Sequence, residues 1–261
     1  MLKKIFISLS LFILTACSAP DKNVLKVGTI AGPETEVMEI TKEVAKKQFG
    51  LDIKVIEFTD YLQPNAALAD GSIDANIFQH QPFLDQQIEN KGYKLVTIGK
   101  TFIYPMGVYS NKIKQIDDIQ SGATIAIPND TSNEGRALLL LQKAGLIKLK
   151  DGVGIYGMPK DIIDNPKKLQ FKELDASQVA RVLQDVDLAV INTNFAVAAG
   201  LSPTKNAIYL EGKDSPYANI IVIRQGEENE PRIQQLVAAY QSPAVLQAAR
   251  KIFKDQAIQA W

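Results

Sequence analysis

Residues 72–84, Ser-Ile-Asp-Ala-Asn-Ile-Phe-Gln-His-Gln-Pro-Phe-Leu, place the chain's single histidine two positions after an aromatic ring. Phe78 offers a soft apolar wall, and His80 a wall whose edge can donate or accept a hydrogen bond. Three further stretches offer chemistry of the opposite kind. Arg136, three residues after Asn133, presents a planar guanidinium fork suited to a carboxylate. Asn192 closes the apolar run Leu188-Ala189-Val190-Ile191, and Asn219 stands between Ser215-Pro216-Tyr217-Ala218 and Ile220-Ile221-Val222-Ile223. Such amides accept from an ammonium and donate to a carboxylate. Each residue also has a structural use: Phe78 as core, His80 as a hydrogen-bonded loop residue, Arg136 as a solvated helix residue, and the asparagines as turn formers. Which use applies depends on where the surrounding elements bring them.

The pattern places them at strand ends. The stretch 72–80 alternates like a strand and Pro82 opens a helix through Leu84, Ile88 and Lys91, so Phe78, Gln79 and His80 end a strand. In an open α/β sheet the carboxyl ends of strands face the ligand crevice. Before it, Leu25–Thr29 reads as a strand, Glu34–Phe49 as a helix closed by Gly50, and Leu51–Phe58 as a strand. Asp60 and Gln63 have capping-box spacing, which leaves Tyr61 at another strand-to-helix junction. Leu95–Ile98 follows as a strand, and alternating strands and helices indicate a mostly parallel sheet.

A second α/β unit begins near Val108, after the Pro105-interrupted segment Phe102–Tyr109, which suits a crossing between lobes. It contains a short helix at Ile116–Ile119 and a strand at Ala123–Ile127. Thr131 and Glu134 have capping-box spacing, which puts Arg136 in a helix's first turn, where free N–H groups favour anions. Glu134 brings a negative charge close by, and its capping role turns it toward its own backbone. A strand at 169–174, a helix at 177–183, the strand before Asn192 and a helix at 194–199 complete the unit. Strands at 207–210 and 219–224 and two closing helices, begun at Pro231 and Ser242-Pro243, place the return crossing near 204–216. The first lobe is then 24–106 with 211–261, and the second 107–210.

Several chemistries are excluded. Cys17 is the only cysteine, so disulfides, thiolate metal sites and thiol catalysis lack their parts. Gly152-Val153-Gly154-Ile155-Tyr156-Gly157 spells a dinucleotide fingerprint without its strand-turn-helix context. Protease and hydrolase motifs are missing, and no nucleophile stands beside a base. With 29 basic and 29 acidic residues the chain has no basic footprint for nucleic acid. Residues 1–16 read as an export signal, with Lys3 and Lys4 before the apolar run Ile5–Leu14 and Leu14-Thr15-Ala16-Cys17 as a lipobox-like end. That run is shorter than the ~20 residues a membrane span needs. Cys17 is then the acylated first residue, and 17–23 a polar tether.

Leu-Thr-Ala-Cys, Phe58-Thr59-Asp60-Tyr61 with Pro64-Asn65, Ile73-Asp74-Ala75-Asn76 through His80, Tyr104-Pro105, Pro128-Asn129-Asp130 with Asn133 and Gly135-Arg136, Ala189–Asn192, and Ser215-Pro216-Tyr217 with Asn219 together resemble the methionine-binding lipoproteins of bacterial ABC importers. The resemblance runs from the signal to Trp261. It implies a two-lobed periplasmic-binding-protein fold of type II, with one amino acid clamped between the lobes. It implies that Tyr61, Phe78, His80 and Tyr104 surround a methionine side chain, that Arg136 holds the carboxylate, and that Asn133, Asn192 and Asn219 complete the polar contacts. Glu134 stands where the resemblance implies an apolar residue. The implied protein is a monomer without cofactor or metal, anchored by lipid to a bacterial membrane. Its folded part lies in the periplasm or outside the cell, and its partners are a permease and an ATPase. D-Methionine, a methionine-containing dipeptide or another apolar amino acid is the alternative ligand, and a surface adhesin the more distant alternative.

Overall fold

The computed structural model describes residues 24–261; the expected signal, Cys17 and the tether lie outside the described residues. The chain begins with β1 (Val24–Ile30), α1 (Pro33–Phe49), β2 (Asp52–Phe58), α2 (Gln63–Ala69), β3 (Ala75–His80), α3 (Gln81–Lys91) and β4 (Leu95–Ile103). It then crosses to β5 (Gly107–Tyr109), β6 (Thr124–Pro128), α4 (Thr131–Lys143) and the small hairpin β7 (Lys148–Leu149) and β8 (Ile162–Asp164). Next come β9 (Gln170–Leu174), α5 (Ala176–Val179), β10 (Leu188–Ile191), α6 (Thr193–Ala198), α7 (Pro203–Asn206) and β11 (Ala207–Leu210). The return leads to β12 (Ala218–Arg224), α8 (Pro231–Tyr240), α9 (Pro243–Ile252) and β13 (Ile258–Gln259), a short edge strand that carries no sequence signal.

The two larger sheets share one plan. The first runs β2-β1-β3-β12-β4-β13 and the second β9-β6-β10-β5-β11. In the first, β1 is parallel to β2 and β3, and β12 is antiparallel to both neighbours, so β4 points the same way as β1. In the second, β6, β9 and β10 are parallel, β5 is antiparallel on both sides, and β11 points with β10. Each sheet is thus mostly parallel, with a reversed strand, β12 or β5, supplied by the segment that has just crossed over; in the first sheet the edge strand β13 is reversed as well. All the parallel strands of a sheet end on one edge. The reversed strands bring their amino ends to that edge, so Asn219 pairs with His80 and Gly107 with Ile191.

Helices cover both faces. Val37, Met38, Ala45, Leu236, Tyr240, Val245 and Phe253 pack against one face of the first sheet, and Leu68, Leu84, Ile220 and Val222 fill the other. Leu138, Leu141, Ile125 and Val190 form the core under α4. A fourth cluster joins the sheets, with Ile30, Tyr61, Phe78 and Phe83 from the first meeting Ala189, Ile191, Phe195 and Ala196 from the second.

Helix α4 starts earlier than its sequence suggests. Asp130, not Thr131, caps it, accepting the Asn133 N–H at 3.0 Å and the Ser132 hydroxyl at 3.2 Å. Aspartate is the stronger cap, so Arg136 falls in the second turn rather than the first. Glu134 does not turn back to its backbone either, as shown below. On its outer side α4 meets the Gly152–Gly157 loop so closely that a Cβ at Gly135 would lie 2.0 Å from the Ile155 carbonyl oxygen. Gly135→Ala should therefore lower the melting temperature by several degrees, because forcing backbone apart in a packed site costs ~1–3 kcal/mol. An unchanged melting curve would show that the loop yields freely.

Candidate functional site

Tyr61 follows β2, Phe78 and His80 end β3, and Tyr104 follows β4. Asn133 and Arg136 follow β6 on α4, Asn192 follows β10, and Asn219 starts the reversed strand β12. All eight line a single cavity between the two sheets, together with Glu34, Gln79, Phe83, Thr193 and Asn194. Its volume is only about 20 Å³. The cavity is a narrow slot.

One end is aromatic. Tyr61 lies 5.7 Å from Phe78, 5.9 Å from Phe83 and 5.0 Å from Phe195, centre to centre, and Phe78 and Phe83 meet edge to face at 5.9 Å. The Tyr61 hydroxyl donates to Asn194 Oδ1 at 2.7 Å, which ties the first sheet's loop to α6 of the second. Tyr104 stacks on Phe253 at 4.1 Å, with its ring directed into the first sheet's core.

His80 is a neutral cross-link. Its Nδ1 accepts the Phe83 N–H at 3.3 Å, capping α3, so the ring proton resides on Nε2 and is donated to Asn133 Oδ1 at 3.2 Å. Burial, with Arg136 nearby, drives its pKa down to about 3. Asn133 Oδ1 also accepts from Asn192 Nδ2 at 2.9 Å, and Asn133 Nδ2 donates to both oxygens of Asp130. The resemblance implies that Asn133 completes the polar contacts to a ligand, whereas here its Nδ2 is taken by Asp130. The anion at this helix end is Asp130, and Asn133 serves as a bridge between the sheets.

Arg136 is buried and already paired. Its Nε and Nη2 donate to Glu211 at 3.1 and 2.5 Å, Nη2 also donates to the Tyr104 carbonyl at 3.0 Å, and its guanidinium lies 4.3 Å from the Tyr217 ring centre. Nη1 makes no hydrogen bond among the described residues. The same cavity is lined by residues with side-chain atoms that lack partners: Asn192 Oδ1, Asn194 Nδ2 and Glu34 Oε2. Asn219 Nδ2 donates to the Phe78 carbonyl at 3.0 Å and, weakly, to Glu34 Oε1 at 3.4 Å.

Glu134 is buried but absent from the cavity wall. Burial first and Glu173 second raise its carboxyl to about 7. Gln79 belongs to an amide network beneath the slot, exchanging hydrogen bonds with Asn65 at 2.8 and 2.6 Å and reaching Asn76 at 2.9 Å. Five wall residues were not singled out from sequence, yet Glu34, Phe83, Thr193 and Asn194 stand in the first turns after β1, β3 and β10, the same junctions that marked the others.

Two sheets of this order, each interrupted by its crossing strand and facing the other across a polar and aromatic slot, define the class of two-lobed periplasmic-binding-protein folds. The model of the family described as NlpA lipoprotein matches residues 25–261, and the chain belongs to that family. It is 50% identical over 252 residues to the D-methionine-binding lipoprotein MetQ of Salmonella typhimurium, covering 95% of this chain and 93% of that one. A periplasmic substrate-binding protein of an ABC transporter from Coxiella burnetii superposes with a TM-score of 0.88 at 58% identity, over 90% of this chain and all (100%) of that one. A nutrient-binding protein from Burkholderia cenocepacia bound to methionine gives 0.89 at 55% identity, over 91% and 100%.

Two titrations should oppose each other in the stability profile. His80 has a folded pKa below its unfolded value, so its contribution is present above about pH 6.5 and fades as pH falls toward about 3. Glu134 has a folded pKa above its unfolded value, so its contribution is present below pH 4.5 and is lost as pH rises through about 7. Glu134→Gln should therefore raise the melting temperature more at pH 8 than at pH 5. Equal shifts at both would mean that the carboxyl does not titrate in that window.

Proposed function

We propose that the chain is the substrate-binding component of an importer and that it captures methionine in the slot by closing two lobes, 24–106 with 211–261 and 107–210, over it. The observation that carries this reading is the division of one narrow cavity into an aromatic end and an end rich in unsatisfied hydrogen-bonding groups. A thioether chain is soft and unbranched, and sulfur-ring contacts of ~0.3–1.5 kcal/mol add to its burial. A zwitterionic head is costly to desolvate unless its charges are met, which is the task of the other end.

In this reading Tyr61, Phe78 and His80 flank the side chain, with Tyr104 closing the slot near Arg136. Arg136 Nη1 and Asn194 Nδ2 meet the carboxylate, and Asn192 and Asn219 complete the head-group contacts. Asn133 acts through His80 and Asn192. Family membership supports anchoring by a lipid at Cys17 and delivery to a membrane permease driven by an ATPase. The chain itself works as a monomer and leaves its ligand chemically unchanged. Because relatives carry D-methionine in their names, both enantiomers belong in the test.

Calorimetry of the folded domain with L- and D-methionine should give saturable binding of at least one, and no binding at millimolar ligand would overturn the proposal. Arg136→Ala should weaken binding by about a hundredfold or more, since losing one partner of a buried charge pair costs ~2–5 kcal/mol. Glu134→Ala, on the other side of α4, should change affinity little. Equal losses would misplace the carboxylate.

A further inference from the structure

We infer that Glu34 is the counter-ion of the ligand's ammonium group, and so makes the site selective for molecules with a free amino group. This rests on the amino-acid reading above and adds a residue and a charge to it. The geometry is the argument. Glu34 lies in the first turn of α1, 5% exposed, and lines the slot. Its Oε2 has no partner, its Oε1 receives the 3.4 Å contact from Asn219, and no ion pair reaches it among the described residues.

A carboxyl is rarely left so deep without a cation unless one arrives. The charges nearby are already used. Arg136 is matched by Glu211, and His80 is held neutral by the N–H that occupies its Nδ1. Amide oxygens such as Asn192 Oδ1 can accept from an ammonium but cannot neutralise it. Glu34 is the one acidic side chain on the slot wall.

The groups that face Glu34 come from several elements: the Ile30 N–H from β1, Tyr61 after β2, Tyr104 in the crossing and Tyr240 on α8. None is a cation. Burial raises the Glu34 carboxyl well above its usual range, and only the Ile30 N–H opposes that. Burial therefore favours its protonated form until a cation arrives. When an ammonium enters, the carboxyl O–H bond breaks, its electron pair stays on the carboxylate, and the proton leaves to solvent while the ammonium keeps its charge.

The test compares methionine with its des-amino analogue, methylthiobutanoate, on the full folded domain and on Glu34→Gln. Methionine affinity should fall about thirtyfold or more in the variant, the size expected when a buried charge loses its partner, while the analogue's affinity stays within about twofold. Equal changes for both ligands, or none for either, would overturn the inference. The unaltered protein supplies a second measurement if the variant fails to fold. Methionine binding should release a proton, seen as a binding enthalpy that varies with the buffer's ionisation enthalpy, and analogue binding should not. Identical buffer dependence for the two would overturn it equally. Failure of the unaltered protein to bind methionine at all would instead remove the functional reading, and this inference with it.

Discussion

The arrangement depends on one buried ion pair. Arg136 and Glu211 are 4% and 13% exposed, and removing two such charges from water costs several kcal/mol per ion. That cost is offset only because nearly every remaining hydrogen-bonding position is filled by the connecting segments. The Tyr104 carbonyl accepts from Arg136, the Met106 N–H donates to Glu211 at 3.0 Å, and the Glu211 N–H returns to the Met106 carbonyl at 2.9 Å. Glu211 therefore binds the two crossings to each other, and Arg136 binds α4 to both. The guanidinium is thereby fixed where the two connecting segments meet.

The walls meet through fewer and weaker contacts. His80 to Asn133 and Tyr61 to Asn194 are the polar bridges across the slot, backed by the aromatic cluster that includes Phe78 and Phe195. Neutral hydrogen bonds are worth about 1 kcal/mol each, so these bridges bias closure without enforcing it. A ligand shifts that balance only by contacts that the open arrangement lacks. The aromatic end comes mostly from the first sheet, and Arg136, Asn192 and Asn194 from the second, so a molecule with an oily tail and a polar head spans both.

Most of the architecture was legible because periodicity and strand-to-helix junctions are local signals. Phe78 and His80 could be placed at a strand end from alternation and the helix start at Pro82, Asn192 from the apolar run before it, and the Pro105 segment could be read as a crossing. What local signals could not supply was competition between neighbours. Asp130 outcompetes Thr131 for the cap of α4, and by doing so it takes the Asn133 amide that looked free. Glu211 read as a loop residue, since nothing within several positions of it reveals a partner 75 residues away. Glu34 opens the helix read over 34–49, a place where the helix dipole makes acids common. Only the fold reveals that this helix start faces a closed slot.

Glu134 shows how helix phase separates two charges that sequence puts side by side. Two residues along an α-helix turn the side chain by about 200°, so Glu134 and Arg136 occupy nearly opposite faces of α4. Arg136 faces the crossings and Tyr217, while Glu134 faces Glu173 on β9. Burial and Glu173 hold the Glu134 carboxyl near neutrality, which reduces the negative charge it would project through the helix toward the guanidinium. An acid at that position therefore bears on the stability of the second sheet. Arg136, on the opposite face of the helix, lines the slot and is paired with Glu211 behind it.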